Sequence, residues 1–482
     1  MWLKDNTLFP VVENVNKDAK RTQPDLKSVD ERVSSFEQIE STYTKEQAEN
    51  EMARCLKCPT HWCQEKCPAK VPVTDFIAAA RSGDLEGAYE LIRTASMMPE
   101  FCSRVCPQEM QCQSNCTRSI RSDAVGIGKL ERYVVESHYA SGKGEKTAPS
   151  TGKKVAVIGS GPSGLSCAQR LIDKGHSVTI FERADRAGGL LEYGIPNMKL
   201  EKGIVERKID SLKAQGAEIK CGVNVGVDIT AEDLEKSFDA VCFALGSRNA
   251  RNLALENSAG VSGIVFAVDF LTENTKALLS GEKALTAKDK KVIIVGGGDT
   301  GNDCVGTSLR QGAESIMQIE MLPKERGHKF IFERPPYKEP EKKHDFSQEE
   351  CAEKFGDPHV YRTTVKAVHA GDDAKVHAIT TVDLEAVYDE HFRLQMKEIP
   401  GTEKEVPCDL LIIAAGFSGA ESYVPEKFSL KMGERNTIEA PQYNAGGKYF
   451  ACGDCRTGQS LVVKAMVDGR ECADAVDAFL TK

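Results

Sequence analysis

The chain lacks the apolar segments of a membrane or secreted protein. Its 482 residues contain no uninterrupted apolar run as long as a membrane span. Residues 1–5 are polar and charged overall and have none of the apolar stretch of a secretory signal. We therefore expect a cytoplasmic protein that has no membrane partner.

An excess of positive charge is missing too. The sequence has 63 Lys and Arg against 72 Asp and Glu, a net charge of −9. Binding of nucleic acid needs concentrated Lys and Arg, so we expect no nucleic-acid partner. The hydrophobic fraction of 40% and the charged fraction of 28% are typical of a globular protein. The length exceeds that of one ordinary core and predicts two or three domains.

Cysteine, by contrast, is abundant and unevenly placed. Eight of the 17 cysteines lie between Cys55 and Cys116. In a reducing compartment, such a cluster binds metal more often than it forms disulfides. The other nine are scattered, and single cysteines such as Cys221, Cys242 and Cys304 are most often buried small apolar residues.

The clustered cysteines form two groups of four. The groups are Cys55-x2-Cys58-x4-Cys63-x3-Cys67 and Cys102-x3-Cys106-x5-Cys112-x3-Cys116. Iron–sulfur clusters need thiolates that converge on a compact inorganic core, and close spacing lets one segment supply several of them. Structural zinc also uses four-cysteine sites and remains the alternative, in a non-catalytic zinc-bearing scaffold. The Cys-Pro pairs at Pro68 and Pro107 and the nucleotide motifs downstream favour iron–sulfur.

The region around these cysteines has helical patterns. Residues 75–94 predict two short helices broken at residues 82–84, and residues 129–139 predict another. A polar stretch at residues 141–146 is typical of a linker.

A strand that runs into G-x-G-x-x-G follows the linker. In such a loop, Gly159 permits the tight turn, Gly161 lets the backbone approach a pyrophosphate, and Gly164 lets the helix pack on the strand. Glu182 lies about 20 residues further on, at the end of a second predicted strand, where an acid binds the ribose hydroxyls. A glycine-rich turn without a ligand is the alternative, which this context disfavours.

A second unit of the same kind begins at Lys291. Its predicted contacts to a nucleotide are Gly296, Gly298, Asp299, Thr300 and Gly301. Two such motifs indicate two nucleotides, most simply a tightly held FAD and an exchanging NAD(P)H.

The sequence around this second motif bears on the kind of nicotinamide nucleotide. Arg310 could reach a 2′-phosphate, and residues 319–326 offer charges of both signs, so we expect NADPH, with NADH possible. The charged segment 325–357 has little periodicity and is interpreted as a long excursion of this domain.

Longer motifs resemble those of a known family. They are G-G-L-L-E-Y-G-I-P-N-M-K-L at 188–200, G-G-G-D-T-G-N-D-C at 296–304 and G-D-C-R-T-G-Q-S-L-V-V at 453–463. Together with the cysteine groups and G-S-G-P-S-G at 159–164, they make the chain resemble the small (beta) subunit of bacterial-type glutamate synthase over nearly its whole length. It is also similar to the N-terminal half of dihydropyrimidine dehydrogenase.

The resemblance implies a multidomain fold. An N-terminal α-helical domain with two 4Fe–4S clusters is followed by two Rossmann-like α/β nucleotide-binding domains, the NAD(P)H domain being inserted in the FAD domain. The expected bounds are 1–150 for the iron–sulfur domain, 151–285 and 416–482 for the FAD domain, and 286–415 for the NAD(P)H domain.

The resemblance also implies ligands. One cluster is expected on Cys55, Cys58, Cys63 and Cys116. The other is expected on Cys67, Cys106, Cys112 and the non-cysteine ligand Glu131, which leaves Cys102 as a spare thiol. Flavin contacts are implied for Gly189, Leu190, Gly194, Ile195, Gly453 and Asp454, the last bonding the ribityl chain.

The implied activity is that of an NAD(P)H-dependent oxidoreductase. Hydride passes to FAD, and single electrons pass to two clusters and on to a partner, either a glutamate synthase large subunit or, for a stand-alone reductase, ferredoxin. No acid–base residue is required. Departures such as Lys464, where the family usually has an aromatic residue, concern the partner. Cys452 and Cys455 form C-x-x-C, which we interpret as part of the flavin motif.

Overall fold

The computed structural model describes residues 15–145, 148–282, 285–324, 345–391 and 393–481. These residues form a helical N-terminal region, two sheets with helices, one parallel and one parallel except for its edge strand, and a small antiparallel sheet. None of the helices in this part of the chain is both long enough and apolar enough to cross a bilayer.

The N-terminal region consists of short helices around an apolar core. They are α1 Val29–Val33, α2 Lys45–Met52, α3 Trp62–Lys66, α4 Val73–Arg81, α5 Leu85–Arg93, α6 Pro99–Val105 and α7 Ile127–Ala140, with 3-10 turns at Gln108–Met110 and Thr117–Ile120. The predicted break between two helices is confirmed: Gly83 takes φ +91°, and Asp84 caps α5 by accepting from the Gly87 N–H at 2.8 Å. Phe76 and Ile92 are fully buried in the core between them.

The first α/β region begins with β1 Lys154–Ile158, and its first elements form a Rossmann-type half. They are α8 Pro162–Asp173, β2 Ser177–Glu182, α9 Leu190–Tyr193, α10 Lys202–Ala214, β3 Glu218–Cys221, α11 Ala231–Ser237 and β4 Ala240–Phe243. β1 and β4 are rich in β-branched and small apolar residues and are almost wholly buried, as expected for parallel strands covered on both faces.

The second α/β region occupies the middle of the chain. Its elements are β5 Ile264–Phe266, α12 Ala267–Ser280, β6 Lys291–Val295, α13 Asp299–Gln311, β7 Ser315–Glu320, α14 Phe346–Phe355, β8 His359–Tyr361, β9 Thr363–Ala370, β10 Val376–Tyr388, β11 Leu394–Glu398, β12 Lys404–Pro407 and β13 Leu410–Ile413. The parallel order is β5-β13-β6-β7-β8, and β9 to β12 form the antiparallel sheet.

The chain then returns to the first region. The last elements are α15 Tyr423–Lys427, a 3-10 turn at Pro441–Tyr443, β14 Asn444–Gly446, β15 Tyr449–Ala451, α16 Asp454–Thr457 and α17 Val462–Leu480. β15 pairs in parallel with β4, which completes the order β14-β15-β4-β1-β2-β3. The second region is therefore inserted between two parts of the first, as the resemblance implied.

Two details differ from the expectations. β5 lies before residue 285 yet pairs with β13, so the sheets divide earlier than the expected bound between the two domains. The strand is only three residues long, too short for a sequence signal. Part of the segment interpreted as an excursion forms α14, whose N-cap is Asp345, and residues 325–344 lie outside the described residues.

Lys199 joins the two α/β regions. It lies between α9 and α10, and its ammonium pairs with Asp303 on α13 and with Asp345. Burial lowers and the two carboxylates raise the pKa of Lys199, with a net upward direction. Burial raises the pKa of Asp303 to about 6, although Lys199 opposes this. The interface therefore contains an acid whose ionisation is disfavoured in the folded state.

We predict that Asp303→Asn removes a pH-dependent loss of stability. Because the folded-state pKa of Asp303 lies above its ordinary value of 3.8, ionisation as pH rises toward about 6 disfavours folding. The stability of the wild-type chain relative to the variant should fall by on the order of 1 kcal/mol between pH 5 and pH 7, measured by thermal unfolding. The exposed Glu385→Gln is the control. A difference that stays constant or rises with pH contradicts the prediction.

Candidate functional site

Four cysteines of the N-terminal region line one pocket. The four are Cys55, Cys58, Cys63 and Cys116, and the other walls of the pocket include Val73, Ile77, Val125 and Ile127. Burial and the neighbouring thiols raise the pKa of Cys55 to about 11 and that of Cys63 to about 12. Thiols gathered in an apolar pocket need a metal centre to become thiolates, so this donor set fits a metal cluster.

A second set of donors lies deeper in the region. Cys67, Cys106 and Cys112 are close enough to the Glu131 carboxylate for it to raise the pKa of each thiol. The Glu131 side chain is buried on α7, and its Oε1 has no hydrogen-bond partner among the described residues. Burial, with a smaller effect of Glu100, raises the pKa of Glu131 to about 8. A buried, unpaired carboxylate oxygen near three thiols fits the role of a metal ligand.

Proline explains why two of these thiols face inward. Cys67 directly follows α3, and Cys106 directly follows α6. Both have extended backbone, with ψ 122° at Cys67 and ψ 137° at Cys106. Pro68 and Pro107 follow them, and the residue before a proline is disfavoured in helical geometry. Each cysteine is thereby turned out of its helix.

The spacing of the thiols distinguishes a cluster from a single ion. Within the described residues, no three donors of these two sets have ligand atoms mutually within 4.8 Å. A four-iron core lies between its cysteine sulfurs and holds them apart, whereas a single ion draws them together. The arrangement therefore fits iron–sulfur better than the alternative of mononuclear zinc.

Cys102 lies beside the second set. Its thiol and that of Cys106 share a hydrogen bond, and this contact, with burial, raises the pKa of Cys106 well above its usual value. The Cys102 Sγ also contacts the Met466 Sδ on α17 at 3.7 Å. The thiol that the resemblance left spare therefore lies between the second set and the first α/β region.

The first glycine loop has an open cradle. Gly159 takes φ +102°, and a Cβ on Gly164 would lie 2.0 Å from the Gly159 carbonyl oxygen, so close packing requires glycine at both positions. A Cβ on Gly161 would meet nothing within 4 Å. The space beside Gly161, at the N-terminus of α8, suits a pyrophosphate.

Glu182 supports this loop from the end of β2. Its carboxylate accepts the Ser160 N–H at 3.0 Å, the Ser160 hydroxyl and the Ala184 N–H at 2.8 Å. The Ser160 hydroxyl in turn accepts the Gly188 N–H at 2.9 Å. A Cβ on Gly189 would lie 2.8 Å from the Gly161 Cα, so the segment at 188–200 rests directly on the glycine loop.

Two further parts of the predicted flavin site lie nearby in the fold. Leu190 is the first residue of α9, and Gly194 follows its last residue. The buried Lys202 ammonium donates to the Leu191 carbonyl at 3.0 Å and to the Ile195 carbonyl at 2.5 Å. Burial lowers the pKa of Lys202 to about 8.

The last part comes from the C-terminal return of the chain. The Gly453 N–H donates to Asp468 at 2.6 Å, and the Asp454 carboxylate accepts from Ser460 at 3.1 Å. Burial raises the pKa of Asp454 to about 6, so hydroxyl donors of a ligand would be favourable partners for it.

The second glycine loop repeats the first. Gly296 takes φ +130°, a Cβ on Gly301 would lie 2.0 Å from the Gly296 carbonyl oxygen, and a Cβ on Gly298 would meet nothing within 4 Å. Glu320, at the end of β7, accepts the N–H groups of Gly297 at 3.1 Å and Leu322 at 2.9 Å. Asp299 and Thr300 form the first turn of α13, at the same end as the loop.

Arg310 is placed away from this loop. It lies at the opposite end of α13, about 15 Å along the helix from Asp299. Its guanidinium is fully buried in a two-pronged pair with Glu350, at 2.7 and 3.1 Å, and donates to the Ser35 carbonyl. The structure therefore does not bring Arg310 to the other predicted nucleotide contacts, because it ties α13 to α14 and to the N-terminal segment.

Comparison with known proteins agrees with this arrangement. Residues 32–143 match the family model of dihydropyrimidine dehydrogenase domain II, 4Fe–4S cluster, and residues 153–469 match that of pyridine nucleotide-disulphide oxidoreductase. The glutamate synthase (NADPH) small chain of Bacillus subtilis is 38% identical over 96% of this chain and 97% of its own. That of Escherichia coli is 32% identical, over 96% and 98%.

The chain belongs to the glutamate synthase small-chain family. The glutamate synthase (NADH) of Saccharomyces cerevisiae is 39% identical over 93% of this chain, which matches 21% of that longer protein. FprA from Mycobacterium tuberculosis, solved in complex with NADPH, aligns with a TM-score of 0.56 over 69% of this chain and 85% of its own, at 16% identity. That likeness shows the fold alone.

Membership of this family confirms several predictions. The chain is an FAD-dependent pyridine nucleotide oxidoreductase with a 4Fe–4S domain, and the predicted fold class is correct. The roles of individual site residues stay predictions. The sequence analysis did not predict Ser160, Lys202 and Asp468, which hydrogen-bond to backbone groups of the predicted flavin-contact segments. Bonds to backbone partners elsewhere in the chain leave no pattern in the sequence.

We predict that two glycine substitutions in the first loop affect different properties, one the stability of the chain and the other its affinity for FAD. Gly164→Ala should destabilise the chain by about 1–3 kcal/mol, because its methyl group meets backbone that cannot move aside. Gly161→Ala should leave thermal stability of the flavin-free chain within about 0.5 kcal/mol and weaken FAD binding about tenfold or more, since its methyl group fills the phosphate cradle.

The measurements are thermal unfolding and flavin titration. Gly203→Ala is the matched control, because a Cβ there also meets nothing within 4 Å and the position is outside the loop. Wild-type FAD affinity in Gly161→Ala would show that the pyrophosphate does not lie at this position.

Proposed function

We propose that this chain is the electron-input subunit of an NADPH-dependent glutamate synthase. The observation that carries the proposal is the presence, in one chain, of two glycine-loop cradles and two sets of inward-facing thiols. Relatives of matching length are named as glutamate synthase (NADPH) small chains, and a small chain implies a larger partner.

FAD is proposed for the first loop. Gly159, Gly161 and Gly164 would surround the pyrophosphate, Glu182 would accept from the ribose, and Asp454 would accept from the ribityl chain. The segment at 188–200 would lie against the ring. When bound, FAD supplies the step from a two-electron hydride donor to single-electron acceptors. The protein supplies position, because no general acid or base is needed for hydride transfer.

NADPH is proposed for the second loop. Gly296, Gly298, Asp299, Thr300 and Gly301 would contact its pyrophosphate at the N-terminus of α13. The Glu320 carboxylate lies where an acid favours NADH, and like Glu182 it also supports its loop by accepting backbone N–H groups, so its hydrogen bonds do not exclude NADH. We therefore choose NADPH over NADH because the relatives that match nearly the whole of this chain are named as NADPH-dependent, and NADH is the second candidate.

Two 4Fe–4S clusters are proposed for the N-terminal region. Cys55, Cys58, Cys63 and Cys116 would hold one in the pocket that they line. Cys67, Cys106, Cys112 and Glu131 would hold the other. Cys102, beside the second set, contacts Met466 on α17, the helix that packs against the start of α8. The proposed route therefore runs from flavin to the second set and then to the first.

The proposed acceptor is a glutamate synthase large subunit. We predict that the chain alone, purified anaerobically, oxidises NADPH with ferricyanide but not with ferredoxin, and prefers NADPH to NADH in kcat/KM. Glutamate formation from glutamine should appear only when the large subunit is added. Brisk turnover with ferredoxin would instead indicate a stand-alone reductase, and a preference for NADH would overturn the nucleotide assignment.

One variant separates the flavin site from the clusters. Cys106→Ser should keep the ferricyanide reaction, which can draw electrons from flavin, and lose glutamate formation with the large subunit. Cys408→Ala, at a fully buried thiol in the second α/β region, should keep both reactions. Equal activities in Cys106→Ser and wild type would argue against the proposed route.

We predict that Glu131 and Cys102 contribute differently to the second cluster. Glu131→Ala should lower bound iron from about eight per chain or change the cluster's EPR signal, and Glu131→Cys should restore a four-iron signal at a lower potential, because ligand type sets the potential. Cys102→Ala should leave iron and EPR unchanged. The reverse result would identify Cys102 as the fourth ligand.

A further inference from the structure

Four cysteines outside the N-terminal region converge in the first α/β region. Cys167 lies on α8, Cys242 on β4, Cys452 directly after β15 and Cys472 on α17. The side chains of all four are fully buried. They come from positions as far apart as 305 residues in the chain, counted from 167 to 472, so only the fold brings them together.

The four sulfurs are compactly arranged. The Sγ atoms of Cys167, Cys242 and Cys472 all lie within 4.8 Å of one another, and in the part of the chain that the structure describes no other three such donors do. The Cys452 thiol shares hydrogen bonds with those of Cys167 and Cys472. In a tetrahedral zinc site with bonds of about 2.3 Å, the sulfurs lie about 3.8 Å apart. Cys452 lies outside the group of three that are mutually within 4.8 Å, so it would complete a four-sulfur set after its side chain moves toward Cys242.

The convergence sets these four apart from the other buried cysteines. All four belong to an apolar core, as Cys304 and Cys408 do, but no group of three thiols among the described residues includes either of those two. Here α8, α17, β4 and the end of β15 each contribute a thiol, and Cys452 lies two residues beyond the residue that pairs with Cys242. The set has the donor number and the sulfur-only chemistry of a closed structural site.

Binding of a metal ion here releases protons. A divalent ion held by four thiolates displaces four protons to solvent and leaves a site with two net negative charges. Nothing is oxidised or reduced. Thiolate ligands select thiophilic ions over Mg²⁺ or Ca²⁺, and Zn²⁺ is the divalent ion of this class that is bound in a tetrahedral arrangement.

We propose that Cys167, Cys242, Cys452 and Cys472 form a mononuclear site for a thiophilic d¹⁰ cation, with Zn²⁺ as its occupant. The ion joins α8 and α17 to β4 and to the end of β15. α8 carries the first glycine loop at its N-terminus, and Cys452 directly precedes Gly453, so the site lies beneath the flavin cradle. Its role is structural, and it is independent of the electron acceptor.

The test is metal analysis of the whole chain, purified anaerobically with its flavin and iron. About one zinc per chain should be present after dialysis against a chelator. Cys167→Ala and Cys472→Ala should lose it with unchanged iron and should unfold at a lower temperature. Cys304→Ala and Cys408→Ala, which remove single buried thiols elsewhere, should keep the zinc. An absence of zinc from wild-type chain overturns the proposal unless added metal binds, which the next experiment decides.

That experiment adds Cd²⁺ alone to the zinc-free wild-type chain. One equivalent should produce the ultraviolet absorption of a cadmium–thiolate site and raise the unfolding temperature, and neither effect should occur in Cys167→Ala. If that variant does not fold, the alkylation rates of the four wild-type thiols with and without one equivalent of Cd²⁺, measured in partly denaturing conditions that expose them, replace the comparison. Failure of Cd²⁺ to bind or protect overturns the proposal. Zinc lost in Cys55→Ser but kept in Cys167→Ala would place the metal in the N-terminal groups and also overturn it.

Discussion

The close contact between α8 and α17 is the packing interaction on which the rest of the structure depends. A Cβ on Gly469 would lie 2.1 Å from the Ser163 carbonyl oxygen, so the two helices approach to backbone distance. The Ser166 hydroxyl donates to the Met466 carbonyl at 2.6 Å, and the Met466 sulfur contacts Cys102. One helix therefore packs against the helix of the first glycine loop on one side and against Cys102, beside the second set of cysteines, on the other.

The order of the chain makes this contact necessary. The second α/β region is inserted after β4, so the first sheet is completed only when β15 and α17 return from the C-terminus. Val463 and Val476 on α17 are buried at 2% and 0% exposure, and each such side chain contributes about 1.5–3 kcal/mol. Because the same helix contacts α6, docking of the N-terminal region is coupled to completion of the first sheet.

Local patterns allowed much of this arrangement to be predicted. Three signals are each contained in a short stretch of sequence: the β-branched strand before Gly159, the acid at Glu182 and the helix break near Gly83. The structure has each of these elements where the sequence predicted it. The position of Arg310 was not predictable, because its partner Glu350 lies on α14, in a segment without clear periodicity. Interactions between elements far apart in sequence leave no local signal, whether the partner is a carboxylate or a backbone carbonyl.

The same limit applies to cysteine. In the N-terminal region, the spacing of Cys55 to Cys116 predicts metal chemistry because short segments of the chain supply all the cysteines. In the first α/β region, Cys167 and Cys472 each look like an ordinary buried apolar residue until the helices that carry them are packed together. The geometry then separates two arrangements. Sulfurs of which no three lie mutually within 4.8 Å, as in the described N-terminal groups, suit an inorganic core, whereas three sulfurs within that distance suit a single ion.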